Sequence, residues 1–270
     1  MARSATSDPV VHEQIMREAL SIASTWHQED TAPLISQKIH RRLHELTGIR
    51  DPYAEVKRCC NRLALELLPE FRSRTASARD PLAYAVRLAI AGNVIDLAIN
   101  DRLTEEDIRR ALSQILAEPF SGDIDRFRTE LSTARRVLYL TDNAGEIVFD
   151  RLLIEQFPVA HITVAVRGGP VLNDATLADA YVAGLEEIAE VIDTGSDVPG
   201  TILEECRPAF QGYYKRADVI VSKGQGNFET LRHARENICF LLRIKCLVVA
   251  AQTGLAIGTQ ALIHHRATAI

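Results

Sequence analysis

Two polar segments in the second half of the chain contain the side chains best suited to chemistry. Thr141-Asp142-Asn143-Ala144-Gly145-Glu146 follows the apolar run Val137-Leu138-Tyr139-Leu140, and Ser222-Lys223-Gly224-Gln225-Gly226-Asn227 follows Val219-Ile220-Val221. The first segment offers adjacent oxygen ligands of the kind that hard divalent cations prefer. The second offers a lysine beside glycines whose backbone amides can converge on an anion. The two segments together predict a site for a divalent cation and a phosphate.

A third polar segment runs from Arg167-Gly168-Gly169-Pro170 to Asn173-Asp174 and follows another apolar run. If the first and second runs are neighbouring strands, Asp174 approaches Asp142 and completes the cation site. We predict that Arg167 binds an anion, although it could instead cover the edge of a sheet. Each Asp–Asn pair also fits a simpler interpretation, because these residues commonly cap the first turn of a helix.

The glycine-rich segment matches neither of the common nucleotide-binding motifs. The Gly-x4-Gly-Lys-Ser/Thr spacing is absent, and Gly224 and Gly226 are followed by Asn227-Phe228 where a dinucleotide fingerprint needs another glycine. A solvated lysine on a plain turn is the alternative interpretation of Lys223. The eight histidines show no metal-ligand spacing, and His264-His265 are expected at the surface.

An open parallel sheet would position these segments. Five short runs rich in Val, Ile and Leu predict strands at 136–140, 161–166, 188–193, 218–222 and 246–251, with helical patterns between most of them. This alternation predicts an α/β fold, a three-layer α/β/α sandwich with a mainly parallel sheet. Ligands bind outside the carboxyl ends of the strands in such sheets. We further predict an N-terminal helical lobe over residues 1–130 and an α/β/α catalytic core over residues 131–270.

Two shorter segments are weaker candidates for the ligand-binding cleft at the carboxyl ends of the strands. Asp193-Thr194-Gly195 ends the third predicted strand and could line the cleft or form a plain turn. Gly92-Asn93-Val94-Ile95-Asp96 lies in a helical stretch, where glycine costs about 1 kcal/mol relative to alanine. We interpret Gly92 as a position of close packing, with proximity to a ligand as the alternative.

Composition narrows the class of protein. The chain has 270 residues, of which 47% are hydrophobic and 25% charged, as in an ordinary soluble globular protein. A net charge of -5 argues against a nucleic-acid partner. The apolar stretch at 238–249 is too short to span a membrane and contains Arg243 and Lys245.

The five cysteines form no Cys-x-x-Cys pair, and Cys239 and Cys246 are expected to be buried as small apolar residues. With no secretory signal in residues 1–15, we expect a reduced, cytoplasmic protein.

The three polar segments together resemble the damage-control phosphatase family, long catalogued as a domain of unknown function. The stretches 51–64 and 91–96 are similar to the N-terminal part of that family, so the resemblance covers most of the chain. It implies a metal-dependent phosphatase in which Asp142, Asn143 and Asp174 bind a divalent metal and Lys223 faces the substrate phosphate. Members are thought to hydrolyse phosphate from damaged or surplus metabolites, including sugar phosphates and phosphopantetheine derivatives.

The sequence departs from the pattern of that family at two places. Short microbial members often begin with a Cys-x-x-Cys helix, which is not present near Met1. Leu247 follows Cys246 where a proline is expected, a difference that concerns packing more than chemistry.

The hypothesis is therefore a hydrolase that removes phosphate from phosphomonoesters of small metabolites with Mn²⁺, Mg²⁺, Co²⁺ or Ni²⁺ as cofactor. Asp142, Asp174 and Lys223 are the candidate catalytic residues, and the nucleophile could be either aspartate or a water. The candidate substrate-binding residues are Lys223 together with Glu146, Arg167, Asn173, Gly224, Gly226 and Asn227. Two alternatives stay open, a methyltransferase-like group-transfer enzyme and a non-catalytic protein that binds a phosphorylated metabolite.

Overall fold

The structure is a computed structural model that describes residue 6 and residues 8–27, 30–94 and 104–265. Ile95 and Asp96 of the segment at 92–96 lie outside the described residues, as does the start of the chain at Met1. In the described ranges, no helix combines the length and the apolar character that crossing a bilayer would require.

A seven-stranded sheet forms the centre of the molecule, in the order β1-β7-β6-β5-β2-β3-β4. Its neighbouring strands are parallel except for β6 and β7, which are antiparallel. The strands are β1 (Phe120–Ser121), β2 (Arg136–Leu140), β3 (His161–Val166), β4 (Glu190–Asp193), β5 (Val219–Lys223), β6 (Ile238–Arg243) and β7 (Gln260–His265). The predicted α/β fold with a mainly parallel sheet is confirmed.

Eleven α-helices lie within the described ranges. They are α1 (Pro9–Ser24), α2 (Ala32–Thr47), α3 (Ala54–Ser77), α4 (Pro81–Ala91), α5 (Glu105–Ala117), α6 (Ile124–Thr133), α7 (Glu146–Ile154), α8 (Leu177–Val182), α9 (Pro208–Arg216), α10 (Gly224–Leu231) and α11 (Leu247–Thr253).

The alternation of side chains along the central strands explains the three layers. In β2, Val137 and Tyr139 belong to one hydrophobic cluster, whereas Leu138 and Leu140 belong to another. Successive side chains of a strand point to opposite faces, so each cluster lies on one face of the sheet. Both faces need a helical cover, which is why this strand is apolar at nearly every position.

The helices α3, α4 and α5 pack on the face that holds the first of these clusters, whereas α1 and α2 form a separate small cluster. Leu67 and Phe71 of α3 are fully buried there, and the Phe71 ring meets Phe149 of α7 edge-on at 5.5 Å between centroids. This packing fixes α7, the helix that begins at Glu146. β1 joins the sheet before residue 131, and the same cluster includes residues from both predicted domains. The domain division at residue 130 stays a prediction.

One predicted strand is wrong. Residues 246–251 fall in α11, which begins at Leu247 and ends at Gly254 with a left-handed backbone (φ +71°). Leu247 and Val248 are largely exposed, at 77% and 62%. The strand that continues the sheet is β6, eight residues earlier in the same apolar stretch. A short continuous apolar run does not by itself distinguish a strand from a helix. β1, β6 and β7 were not predicted.

Candidate active site

Three polar loops meet at one edge of the sheet because β2 lies between β3 and β5. The chain leaves β2 towards β3 and β4 on one side and later returns to β5 on the other side. β2 therefore lies at the switch point of the sheet, where α/β proteins form their ligand sites. The polar segments that begin at Thr141, Arg167 and Gly224 all start at the carboxyl ends of these strands, and the third of them forms the first turn of α10.

Backbone hydrogen bonds join the loops that follow β2 and β3. The Ala144 N–H donates to the Asn173 carbonyl at 2.9 Å, and the Ala175 N–H donates to the Asp142 carbonyl at 2.8 Å. Between these two bonds, Asn143 and Asp174 form an isolated antiparallel β-bridge. The structure thus brings Asp142, Asn143 and Asp174 together, as the neighbouring positions of the two strands require.

The Asp–Asn pairs do not cap the helices that follow them. The N-cap of α7 is Gly145, with no side-chain cap. At the start of α8 the backbone N–H of Thr176 donates to Asp179 Oδ2 at 2.9 Å, so the cap comes from within that helix. Capping therefore does not explain why acidic and amide side chains stand at these two strand ends.

The Asp142 carboxylate lies directly over Gly224. A Cβ added at Gly224 would overlap both carboxylate oxygens of Asp142, and the glycine has a left-handed backbone (φ +79°). Only glycine accommodates both the backbone angle and this close approach. The glycine-rich segment therefore makes room for the acid of the neighbouring loop.

Negative charge exceeds positive charge at this edge. Four carboxylates, those of Asp142, Glu146, Asp150 and Asp174, are grouped with two cationic side chains that form ion pairs with them, Lys223 and Arg167. Ionisation of these six groups would leave two negative charges, which Lys245 and Lys57 offset only from farther away. Burial, followed by the charges of Glu146 and Asp174, raises the pKa of Asp142 well above its usual value. Burial also raises the pKa of Asp174, although Arg167 opposes this shift.

Lys223 is fully buried, with 0% of its surface exposed. Its Nζ donates to Glu146 Oε1 at 2.6 Å, to Asp150 Oδ1 at 2.5 Å and to the Ala89 carbonyl at 2.9 Å. Burial alone would lower the pKa of Lys223, but the two carboxylates raise it above its usual value. An ammonium group has three donors, and all three are occupied in this arrangement. Contact between Lys223 and a phosphate stays a prediction, and it requires one of these acceptors to be released. The solvated-lysine alternative does not fit this burial.

Arg167 is the second buried cation, with 2% exposure. Its Nε donates to Asp174 Oδ2 at 2.6 Å, and its Nη1 donates to the Gly200 carbonyl at 2.7 Å and to Asn227 Oδ1 at 3.2 Å. Its Nη2 is buried and has no hydrogen-bond partner. Because a buried guanidinium donor is costly to leave unpaired, this atom indicates where an anionic oxygen would bind.

The other predicted residues support the loops in different ways. Asn227 is fully buried, and its Nδ2 donates to the carbonyls of Thr141 (3.1 Å) and Lys223 (2.8 Å), which ties β2 to β5. A Cβ at Gly226 would overlap the Pro199 carbonyl, so this glycine allows another loop to approach. Asn173 contributes its backbone carbonyl to the joined loops.

The two weaker candidate segments have structural roles among the described residues. Asp193 Oδ1 accepts from the Gly195 N–H at 2.8 Å, as in a plain turn, and pairs with Arg207 at 2.7 Å. Gly92 ends α4, and a Cβ there would lie 3.1 Å from the Phe149 ring. Close packing therefore explains Gly92.

Sequence reasoning missed Asp150, and it named Asn93 and Asn61 only as members of longer segments, without a role at the site. Asp150 is fully buried, and burial raises its pKa to about 6 although Lys223 opposes the shift. Asn93 Nδ2 donates to Glu146 Oε2 at 2.9 Å, and Asn61 Oδ1 accepts from the Gly145 N–H at 2.6 Å. The signal for Asp150 was available, since an acid four residues after Glu146 lies on the same face of an otherwise apolar helix.

A cleft lined by basic residues and by Asp197 opens beside the loop that follows β3. Its walls include Gly169 and Pro170 from that loop, with His40, His44 and Arg50 on the helical side. The Nε2 of His40 is buried without a hydrogen-bond partner.

We expect His40 to make stability depend on pH. Burial chiefly lowers the pKa of His40 to about 4, from 6.5 in the unfolded chain. The unfolded state then binds more protons between these values, so stability is complete above pH 6.5 and is lost as pH falls towards 4. The loss should reach up to about 3 kcal/mol.

Urea unfolding from pH 7.5 to pH 4.5 checks this expectation. His40→Gln should flatten the dependence, whereas the exposed His161→Gln should leave it unchanged. An identical slope in wild type and His40→Gln would show that His40 is not the responsible group.

Comparison with known proteins identifies the family. The family model described as the damage-control phosphatase ARMT1-like domain matches residues 1–260. The chain belongs to this family. The resemblance found in the three polar segments is thereby confirmed.

Relatives in this family span nearly the whole chain. A damage-control phosphatase of Archaeoglobus fulgidus is 36% identical, over 95% of this chain and 91% of its own. A damage-control phosphatase of Pyrococcus horikoshii is 34% identical, over 92% and 87%. An uncharacterized protein of Methanocaldococcus jannaschii is 34% identical, over 97% and 90%. The crystal structure of a DUF89 family protein from Pyrococcus horikoshii superimposes with a TM-score of 0.89 at 31% identity, covering 98% of this chain and 93% of that one.

Proposed function

We propose that this protein is a metal-dependent phosphomonoester hydrolase that acts on small phosphorylated metabolites, as part of metabolite repair. Its family supports the phosphatase role. The observation that carries the metal dependence is the excess of negative charge at the carboxyl edge, where four carboxylates meet two cationic side chains. A divalent cation would balance this charge.

The donor atoms at this edge suit a hard cation. Asp142, Asn143 and Asp174 would hold it, since carboxylate and amide oxygens are the ligands that Mg²⁺ and Mn²⁺ prefer. The Asn143 Nδ2 donates to Asp142 Oδ2 at 3.0 Å and to Glu146 Oε2 at 3.1 Å, so the amide is held with its carbonyl oxygen on the other side. When bound, the cation supplies positive charge to the phosphoryl oxygens and to the attacking group.

The two aspartates differ in their exposure to solvent. Asp142 is partly exposed, whereas Asp174 is 3% exposed and its Oδ2 is held by Arg167. We therefore favour Asp142 as the carboxylate that either contacts the attacking water or attacks the phosphorus itself. Asp174 then keeps Arg167 in place.

Anion binding would come from Arg167 and from a helix terminus. The unpartnered Nη2 of Arg167 would donate to a phosphoryl oxygen. α10 begins at Gly224 with no side-chain cap, so the positive end of its dipole faces the loop beside Asp142. Positive charge held in position in a water-poor site is the largest contribution to catalysis of phosphoryl transfer.

A metal-by-substrate screen tests the proposed function. Chelator-stripped protein should release phosphate from an aryl phosphate only after Mn²⁺, Mg²⁺, Co²⁺ or Ni²⁺ is restored. Sugar phosphates and phosphopantetheine compounds, tested with the best metal, would then identify the substrate class. Metal and ligand binding without turnover would instead indicate the non-catalytic alternative. Tight binding of a nucleotide-like cofactor by the metal-free protein would indicate the group-transfer alternative.

Gly224→Ala should abolish activity while Gly254→Ala should not. Both glycines have a left-handed backbone, with φ of +79° and +71°, so the backbone alone should cost each variant about 1 kcal/mol of stability. Only the Cβ at position 224 overlaps the Asp142 carboxylate, whereas nothing lies within 4 Å at position 254. Phosphate release and thermal unfolding of the two variants check this expectation. Equal activity of the two would show that the position of Asp142 over Gly224 is unimportant.

A further inference from the structure

A second group of metal-binding side chains lies away from the candidate active site. Glu130 of α6, Cys239 of β6 and His264 of β7 each place a ligand atom within 4.8 Å of the others. Cys239 is the second residue of its strand, so the group lies near the amino end of β6, opposite the carboxyl end of β5 that carries Lys223. Cys239 is fully buried as expected, although it has polar partners, whereas Cys246 is only partly buried. His264 was expected at the surface, but its side chain is only 7% exposed.

The fold places these three side chains together through its register. Cys239 and His264 are directly paired across the antiparallel strands β6 and β7, so both side chains lie on the same face. α6 covers that face and presents Glu130. None of these residues takes part in the acid cluster around Asp142.

The distances between the three ligand atoms match those around a tetrahedral zinc ion. Bonds of about 2.3 Å to sulfur and about 2.0 Å to nitrogen or oxygen place neighbouring ligand atoms about 3.3–3.5 Å apart. Cys239 Sγ lies 3.6 Å from His264 Nδ1 and 3.2 Å from Glu130 Oε2, and Nδ1 lies 3.1 Å from Oε2. All three distances between ligand atoms are close to the expected values.

Hydrogen bonding around the group sets the orientation of His264 towards Glu130. His264 Nε2 lies 3.0 Å from the Asp123 carbonyl, which can only accept, so Nε2 carries a hydrogen. In neutral histidine Nδ1 then carries a lone pair, and this atom lies 3.1 Å from Glu130 Oε2. Two acceptors at this distance require either an additional proton or a metal ion between them.

The hydrogen bonds that hold the three ligand residues match those seen around zinc sites. Metal-binding histidines usually donate their second N–H to a carbonyl or carboxylate, as His264 does to Asp123. The other oxygen of Glu130 accepts from Arg126 Nε at 3.0 Å, which fixes the carboxylate. A thiolate and a carboxylate together neutralise a divalent ion.

We propose that Glu130, Cys239 and His264 form a zinc site that ties the antiparallel strand β7 to β6 and to α6. The thiolate and imidazole ligands favour Zn²⁺ or Co²⁺ over the hard cations that suit the acid cluster. The site is separate from the proposed phosphatase site and is independent of its activity.

Cobalt binding to the full-length, chelator-stripped protein tests the zinc site. Thiolate ligation should give a sulfur-to-cobalt charge-transfer band in the near ultraviolet, and about one equivalent of Zn²⁺ should bleach it. Cys239→Ser should abolish the band, and His264→Asn should weaken cobalt binding by at least about 100-fold. Cys206→Ser, which changes another buried cysteine, should retain the band.

The test separates this site from the acid cluster. Asp142→Asn should retain the band, because oxygen ligands give no such absorption. Zn²⁺ should raise the Tm of wild type and Asp142→Asn and leave that of Cys239→Ser unchanged. If Cys239→Ser does not fold, the effect of Zn²⁺ on Tm is compared between His264→Asn and wild type. A cobalt-loaded wild type without the band, or a band that persists at full strength in His264→Asn or in folded Cys239→Ser, would overturn the proposal.

Discussion

Asp142→Asn should reduce metal-dependent phosphate release by about 10³-fold or more, because it removes the charged oxygen closest to both the proposed cation and the substrate. The substitution keeps the size of the side chain, and the buried edge loses one of four mutually repelling carboxylates. We therefore expect the folded state to be as stable as wild type or more so. Initial rates of phosphate release at saturating metal, together with thermal unfolding, measure both effects.

Asp193→Asn is the matched control for Asp142→Asn. Asp193 also ends a strand of the same sheet, but its partners are Arg207 and the Gly195 amide rather than the acid cluster. It should retain activity within a few-fold of wild type. Full activity in Asp142→Asn would remove that residue from the mechanism. Equal losses in both variants would indicate that the strand ends matter only for folding.

Lys223→Met should destabilise the protein by about 3–5 kcal/mol, because it leaves two buried carboxylates without their cation. Glu146 and Asp150 are 2% and 0% exposed, and both accept from the Lys223 ammonium. Adding Asp150→Asn to Lys223→Met should recover part of the loss, since one uncompensated charge disappears. Urea unfolding of the single and double variants measures this coupling.

Lys245→Met is the control for removing a cation near the same edge. Lys245 is exposed and donates to Asn93 Oδ1, so its loss should cost less than about 1 kcal/mol. A similarly small loss in Lys223→Met would contradict the buried ion-pair network. In conditions where Lys223→Met stays folded, a raised KM for the phosphate substrate would support direct contact with it. A lowered kcat at unchanged KM would support a positioning role through Glu146.

The sequence predicted the polar edge well because the local signals were strong. Apolar runs that end abruptly in Asp142-Asn143 or Lys223-Gly224 identify both a strand and its carboxyl end, and parallel strands place those ends at one edge. Asp174 could be related to Asp142 only on the assumption that their strands are neighbours. The pairing of β2 with β3 meets that condition.

Contacts between distant parts of the chain could not be predicted from local patterns. The burial of Lys223 depends on α7 and on the Ala89 carbonyl of α4, which no local pattern connects to the glycine-rich segment. The pairing of Cys239 with His264 depends on the register of β7, a strand whose polar end gave no clear signal. The apolar stretch at 238–249 contains both β6 and the start of α11, and its composition suits either structure.

Diffraction from crystals soaked in Mn²⁺ tests the central claim most directly. The account predicts an anomalous-scattering peak at the carboxyl end of β2, with oxygen atoms of Asp142, Asn143 and Asp174 at about 2.0–2.3 Å. The peak should disappear in crystals of Asp142→Asn treated in the same way. A fully soaked wild-type crystal with no peak between these residues, or with manganese bound only elsewhere, would contradict the account.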